Sequence, residues 1–423
     1  MDLTASSLRQ LPSEQLPKAV SLGLDWNPRD IPFGSTSRNV VLRTQDEAAT
    51  TGTLYVPSSK SRAVVCIMHP REFMANHYLV PDILEAGFAA WTQGSRSVGN
   101  DLRLEHEIAL FDVAAGLSFL RGSGFEKIVL LGNSGGGGLY CLYAQQCLLA
   151  PEARIAKTPG GRPTNLATLQ MPHIDGMVLL APHAGQGALL LECIDPSVAN
   201  EGDPLSVIPE LDPFAPANGF ADSPKSSSYT AEFVQRYRRA QADRVKRIDT
   251  AAKQAIAERL AARKHAKESR DPADLRKGSH AAIITVWRTD ADLRCYDLSL
   301  DPSERRYGSV WGSNPLTSNY GSVGFARLCS PEAWLSTWSG LSSNALLSKT
   351  APSITLPTLM IEYTGDQSCF PSVCQEIFTA IGTSDKRHER VRGDHHGRPL
   401  SPEDEPGRYV AGRMIQSWLR ERY

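Results

Sequence analysis

Ser134 lies in Leu130-Leu131-Gly132-Asn133-Ser134-Gly135-Gly136, a G-x-S-x-G arrangement directly after the apolar run Ile128-Val129-Leu130-Leu131. A strand that enters a helix through so tight a turn forces its central residue into a strained backbone. Side chains at the flanking positions would collide with the strand and the helix, hence glycine there. The serine hydroxyl is then held clear of the sheet at a helix N-terminus, where a backbone N–H and the helix dipole stabilise negative charge. Those are the requirements of a nucleophile in acyl transfer. A plain turn serine is the alternative, but it leaves the glycine run through Gly138 unexplained.

A serine hydroxyl is a poor nucleophile until an imidazole accepts its proton and a carboxylate fixes the tautomer of that imidazole. Thr358-Leu359-Met360-Ile361-Glu362-Tyr363 reads as a buried strand followed by Thr364-Gly365-Asp366. Asp366 is thereby placed at the carboxyl end of a strand, where open α/β sheets gather functional groups. Glu362 and Asp385 compete with it for the role of acid. Further on, Gly393-Asp394-His395-His396-Gly397 sets a histidine in a glycine-flanked loop after another short strand, with His396 as the rival of His395. His388, inside the strand-like run, reads as structural or exposed.

These three segments resemble the α/β-hydrolase superfamily. The order Ser134, Asp366, His395 matches that family's chain order of nucleophile, acid and histidine. The resemblance covers roughly residues 40–185 and 350–423. It implies a mostly parallel central sheet with helices on both faces, and it favours His395 because the family places its histidine directly after the small or acidic residue of such a loop. It also implies an oxyanion hole of two backbone donors. Gly135 N–H, next to the nucleophile, is one. The second is expected in the loop after the apolar strand Ala63–Met68, where His69-Pro70-Arg71-Glu72 resembles the family's His-Gly loop with proline in place of glycine. Pro70 has no N–H to give, so the donor is expected to be Arg71, with Glu72 as the alternative. The alternative to a donor role for this loop is that His69 simply packs its ring beneath it.

The surrounding elements fit that reading. Glu107 to Arg121 has helical spacing in Ile108, Leu110, Phe111, Val113, Ala114, Leu117 and Leu120. Leu139 to Ala144 continues the helix that the turn at Ser134 requires. Asn39 to Val56 reads as an antiparallel hairpin feeding the sheet, Ala86–Trp91 as a strand, and Ile174–His183 as the strand after the helix that follows Ser134. Residues 1–40 are polar and read as an arm across the surface. The chain then divides into a first core part (1–185, arm included), an insertion (186–349) and a second core part (350–423).

The insertion is what the common fold does not supply. Tyr229 to Arg270 is a long helical run with Val245, Ile248, Ala252, Ile256 and Leu260 along one face and a surplus of basic residues elsewhere. A solvated outer face or a subunit contact accounts for that charge better than nucleic acid does. Ala281–Trp287 is strand-like, and an aromatic stretch follows that holds Trp287, Trp311, Trp334 and Trp338 of the chain's 7 tryptophans. The expectation is a mainly helical cap roofing the site, with some aromatics lining an apolar pocket and a possible homodimer contact through the cap.

Composition excludes several function classes. With 423 residues and 41% hydrophobic side chains the chain buries a large core, and 45 Lys+Arg against 46 Asp+Glu leaves no global field for nucleic acid or an anionic membrane. The first ten residues lack the basic-then-apolar pattern of a signal peptide, and no apolar run reaches the ~18–20 residues of a membrane span. The 8 cysteines show no C-x-x-C pairing and read as buried thiols, so the cytoplasm is the expected compartment. The glycine run lacks the Lys-Ser/Thr of a phosphate loop and the G-x-G-x-x-G spacing of a dinucleotide fold. His106-Glu107 begins an H-E-x-x-H, but position 110 is leucine, so neither zinc nor any other cofactor is implied.

The resemblance therefore implies a serine hydrolase that cleaves an ester or lactone of a hydrophobic small molecule. A carbon–carbon hydrolase acting on a diketone from aromatic breakdown would use the same triad. A catalytically inactive ligand-binding member of the fold is the third reading.

Overall fold

The apolar runs at Ala63–Met68 and Ile128–Leu131 form the centre of an eight-stranded sheet, because only strands covered on both faces can be apolar at every position. The computed structural model describes residues 31–99 and 101–423, so most of the expected N-terminal arm lies outside the described residues. The strands are β1 (Thr36–Arg43), β2 (Ala49–Val56), β3 (Ala63–Met68), β4 (Ala89–Gln93), β5 (Lys127–Asn133), β6 (Gly176–Leu180), β7 (Thr358–Tyr363) and β8 (Lys386–Val391), in the order β1-β2-β4-β3-β5-β6-β7-β8. β1 and β2 form the expected antiparallel hairpin, and β2 runs antiparallel to β4. All pairings from β4 onward are parallel.

The helices that cover the sheet are α1 (Val80–Glu85), α2 (His106–Gly122), α3 (Gly135–Leu148) and, beyond the insertion, two more. Within the insertion lie α4 (Gln186–Cys193), α5 (Ala231–Ser269), α6 (Pro272–Ser279), α7 (Pro315–Ser318), α8 (Pro331–Ala333) and α9 (Leu347–Thr350); α10 (Pro371–Ala380) and α11 (Gly407–Arg422) complete the fold. One face of the sheet packs on Leu110, Leu117, Leu142 and Ile377 of α2, α3 and α10. The other packs on Ile83, Ile415 and Trp418 of α1 and α11.

The strand order reverses direction at β3. From β3 the chain steps to β4 on one side, then returns to β5 on the other and continues outward to β8. Loops leaving the carboxyl ends of β3 and β5 therefore diverge and leave a crevice between them. Ser134 follows β5, Asp366 and His395 follow β7 and β8, and His69 follows β3, so all four gather at one edge of the sheet.

Some elements differ from expectation. β4 begins at Ala89 because α1 runs to Glu85 and Gly87, at φ 89°, turns the chain before pairing starts. Ala281–Trp287 makes only a single bridge, Ile284 to Cys329, and does not join the eight-stranded sheet. α5 buries Phe233, Tyr237, Val245, Ile248, Ala252 and Ile256, whereas Leu260 is exposed. Its apolar face packs with Leu190, Trp334 and Trp338 in a core of its own. Among the described residues no helix is long and apolar enough to cross a membrane, and all 8 cysteines are buried free thiols.

Candidate active site

Ser134 has φ 52° and ψ −122°, a left-handed backbone that a side chain rarely adopts. The surrounding packing enforces it. A Cβ on Gly132 would lie 2.6 Å from Gly137 Cα, and one on Gly136 would lie 2.5 Å from the Met68 carbonyl oxygen. The turn is further pinned by Ser134 N–H and the Asn133 side chain, which both donate to the Leu180 carbonyl at 2.9 and 3.0 Å. Close approach of β5, β6 and α3 thus leaves the serine no relaxed alternative.

His395 Nε2 stands 3.1 Å from Ser134 Oγ, and His395 Nδ1 stands 2.7 Å from Asp366 Oδ2. The other carboxylate oxygen of Asp366 accepts the N–H groups of Ser368 (2.6 Å) and Cys369 (2.9 Å), which fixes its plane. Burial works against a charged imidazole at His395, but the charge and hydrogen bond of Asp366 outweigh it and raise the pKa above the ordinary histidine value. The competitors are engaged elsewhere. His396 bonds neither Ser134 nor Asp366 through its ring, and burial beside His395 pushes it down to about 3. Glu362 pairs with His388 and Arg390 on β8, and Asp385 pairs with Arg422.

Strand order, the turn at Ser134 and the three side chains from β5, β7 and β8 together decide the architecture. This is an α/β-hydrolase fold. No protein-family model matches the chain, and no curated protein matches it. Among solved structures, the α/β-hydrolase fold of this chain is similar to DcsB in complex with its substrate analogue (13% identity, 92% of this chain and 100% of that one, TM-score 0.49). It is also similar to the α/β hydrolase GrgF from Penicillium sp. sh18 (13%, 92% and 99%, TM-score 0.47) and to the esterase domain of a Rhodothermus marinus protein (11%, 91% and 98%, TM-score 0.43).

The expected oxyanion donors fare differently. Gly135 N–H opens α3 and has no carbonyl four residues back within the helix to bond, so it is available beside Ser134. Arg71 does not fit its expected role. Its N–H donates to His69 Nδ1 at 3.2 Å, and Glu72 N–H donates to the same nitrogen at 3.0 Å. Pro70 turns the chain so tightly that both following amides fall on the imidazole, which satisfies them internally. The Arg71 side chain instead grips Asp101 with Nε and Nη2 (2.8 and 2.9 Å).

The cavity above Ser134 has a volume of about 740 Å³ including its mouth. Its apolar wall comes from Met74 and, from the insertion, Leu189, Val310, Trp311 and Phe325. Trp311, Phe325 and Trp338 form a ladder with ring centroids 5.8 and 5.9 Å apart. The Arg71 guanidinium lies over Trp338 at 5.3 Å and Phe325 at 5.9 Å, tying the β3 loop to the insertion. Two polar residues of the wall, His183 and Gln186, were not picked out from the sequence. The signal was there: Pro182-His183-Ala184-Gly185-Gln186-Gly187 is a second glycine-punctuated strand-to-helix turn, immediately after β6.

Among the described residues, Asp366, Cys369 and His395 are the one cluster with atoms close enough to share a metal ion. They do not fit one. Both Asp366 oxygens are already taken, and the Cys369 thiol donates to the Ala181 carbonyl at 3.1 Å while burial raises its pKa far above the usual thiol range.

Proposed function

We propose that this protein is a serine hydrolase cleaving a carboxylic ester or lactone of a hydrophobic small molecule through an acyl-enzyme on Ser134. The observation that carries the reading is the hydrogen-bonded line Ser134 Oγ–His395 Nε2 (3.1 Å) and His395 Nδ1–Asp366 Oδ2 (2.7 Å), set on a strained turn. His395 takes the hydroxyl proton as Ser134 Oγ bonds to the carbonyl carbon, and the carbonyl electrons move onto oxygen. Gly135 N–H, with the positive end of α3 behind it, stabilises that oxyanion. Collapse breaks the bond to the leaving alkoxide, which receives the proton from His395. Water then attacks the acyl-enzyme, giving its proton to His395 and restoring Ser134 as the acid leaves.

The preference for an apolar substrate is supported by Met74, Leu189, Val310, Trp311 and Phe325 around the nucleophile. Four of these, Leu189, Val310, Trp311 and Phe325, come from the segment between β6 and β7, which supports reading residues 186–349 as a cap over the site. A fluorophosphonate probe should label the wild-type protein on Ser134, and Ser134→Ala should abolish labelling and lower kcat by about 10⁴-fold or more. Turnover retained in that variant would end the serine reading. p-Nitrophenyl esters of graded chain length, run beside a lactone panel, distinguish the two substrate classes.

A further inference from the structure

His69 is placed for more than packing beneath its loop. Its Nδ1 accepts two backbone N–H groups, from Arg71 and Glu72, so that nitrogen carries the lone pair. A ring with an unprotonated Nδ1 holds its proton on Nε2. The tautomer is thus dictated by the loop, and Nε2–H is a donor whose direction the loop fixes.

That donor lies beside the nucleophile's neighbour. His69 Nε2 lies 2.7 Å from the position a Cβ on Gly135 would occupy, and Gln186 Nε2 lies 2.8 Å from the same position. Residue 135 is glycine because these two side chains fill the space a larger residue would need. His69 lines the same cavity as Ser134 and His395 and is 5% exposed. The Gln186 amide is held at its far end by His106 at 3.1 Å, while its Nε2 is buried with no hydrogen-bond partner. A buried polar atom beside the nucleophile calls for a partner that the fold itself does not supply.

We propose that the second oxyanion donor is the Nε2–H of the His69 side chain, acting together with Gly135 N–H, in place of a backbone amide of the β3 loop. The assignment rests on Ser134 being the nucleophile. It explains why proline is tolerated at position 70, where a backbone donor would be lost: in this chain the loop's amides orient the histidine instead of the substrate. Burial, with the positive charge of Arg71 nearby, holds His69 well below the ordinary histidine range, so the ring donates as a neutral imidazole and does not compete with His395 for the proton.

Two substitutions separate the donor from the loop's support. In His69→Gln the amide NH₂ falls near the position of Nε2 and the Nδ1 acceptor is lost. In His69→Asn the amide oxygen falls near Nδ1, the loop amides stay satisfied, and the Nε2 donor is lost. The expected result is that His69→Asn lowers kcat by about 10²–10³-fold with little change in KM, and weakens inhibition by an alkyl trifluoromethyl ketone, whose adduct places an oxyanion in the same position. His69→Gln should keep kcat within about tenfold of wild type. His69→Asn should unfold at a temperature near the wild type and His69→Gln, which leaves the two loop amides without their acceptor, at a lower one; both should still take fluorophosphonate on Ser134 at full stoichiometry given time. Retained turnover in His69→Asn, or equal losses in the two variants, overturns the assignment. Failure of the wild type itself to label on Ser134 would instead overturn the serine reading on which it rests.

Discussion

Asp366 and His395 meet from neighbouring strands, with Oδ2 2.7 Å from Nδ1, and the carboxylate is itself held by two backbone amides. The acid therefore has little freedom to turn away, and the proton of the imidazole is pinned on Nδ1, leaving Nε2 free to accept from Ser134.

Asp366→Asn tests that relationship. The amide keeps the shape but removes the charge and favours the wrong tautomer, so kcat should fall by about 10⁴-fold. The pH profile supplies a second readout. His395 acts as a base only when neutral, and Asp366 raises its pKa, so the acidic limb of kcat/KM in the wild type should lie above the ordinary histidine value of 6.5. Without the carboxylate charge the residual activity should show that limb displaced to lower pH. An unmoved limb would mean that a different group titrates.

The adjacent histidines should separate sharply. His396 sits with its ring centroid 5.1 Å from that of His395 and is held neutral by burial, without a bond to Ser134 or Asp366. His395→Ala should match Ser134→Ala in severity, whereas His396→Ala should cost about tenfold or less. Steady-state kinetics on a p-nitrophenyl ester decides, and the reverse ranking would move the base by one residue.

The sequence made the turn at Ser134 legible because its glycines answer to backbone contacts, which no side-chain change elsewhere can relieve. The parallel strands were legible for a related reason: burial on both faces leaves runs such as Val64-Val65-Cys66-Ile67 with no polar position. The oxyanion loop was not. Whether Arg71 N–H faces the substrate or His69 depends on how Pro70 bends the chain, which residue types alone do not encode. His183 and Gln186 were missed because their roles arise from β6 lying beside β5, a long-range pairing. The strand-like run at Ala281–Trp287 misled because local propensity does not say which partner the chain brings beside it, and here that is Cys329 alone.

The insertion contains a buried ion pair that should dominate its stability. Arg288 and Asp195 are 1% and 0% exposed, joined at 2.6 and 2.9 Å, and Asp195 also accepts from the Asn319 side chain at 2.9 Å. Asp195→Ala would leave the buried Arg288 charge without its counter-ion, with the Ser206 carbonyl and the Ser197 hydroxyl as its remaining acceptors, a loss of about 3–5 kcal/mol. Thermal unfolding should show a correspondingly lower midpoint. A midpoint within a degree of wild type would mean that Arg288 finds water or another acceptor when its partner is removed.

Trp311 offers the most direct test of how the insertion shapes selectivity. It stands at the end of the Trp311–Phe325–Trp338 ladder, half-buried and on the wall of the cavity that holds Ser134. The rest of the ladder is anchored by Arg71 and by the core around α5, so removing the terminal ring should leave the frame in place. Ser134, Asp366 and His395 all lie outside the inserted segment, and their geometry should be unaffected. A substrate that covers the indole gains about 1.5–3 kcal/mol from burying it, which corresponds to about 10–100-fold in kcat/KM. Trp311→Ala should therefore lower kcat/KM by that factor for a long-chain or aromatic p-nitrophenyl ester and change the acetate by less than about threefold. Fluorophosphonate labelling of Ser134 should proceed at an unchanged rate. Equal losses on acetate and on the bulky ester would show that Trp311 supports the frame of the site and does not contact the substrate.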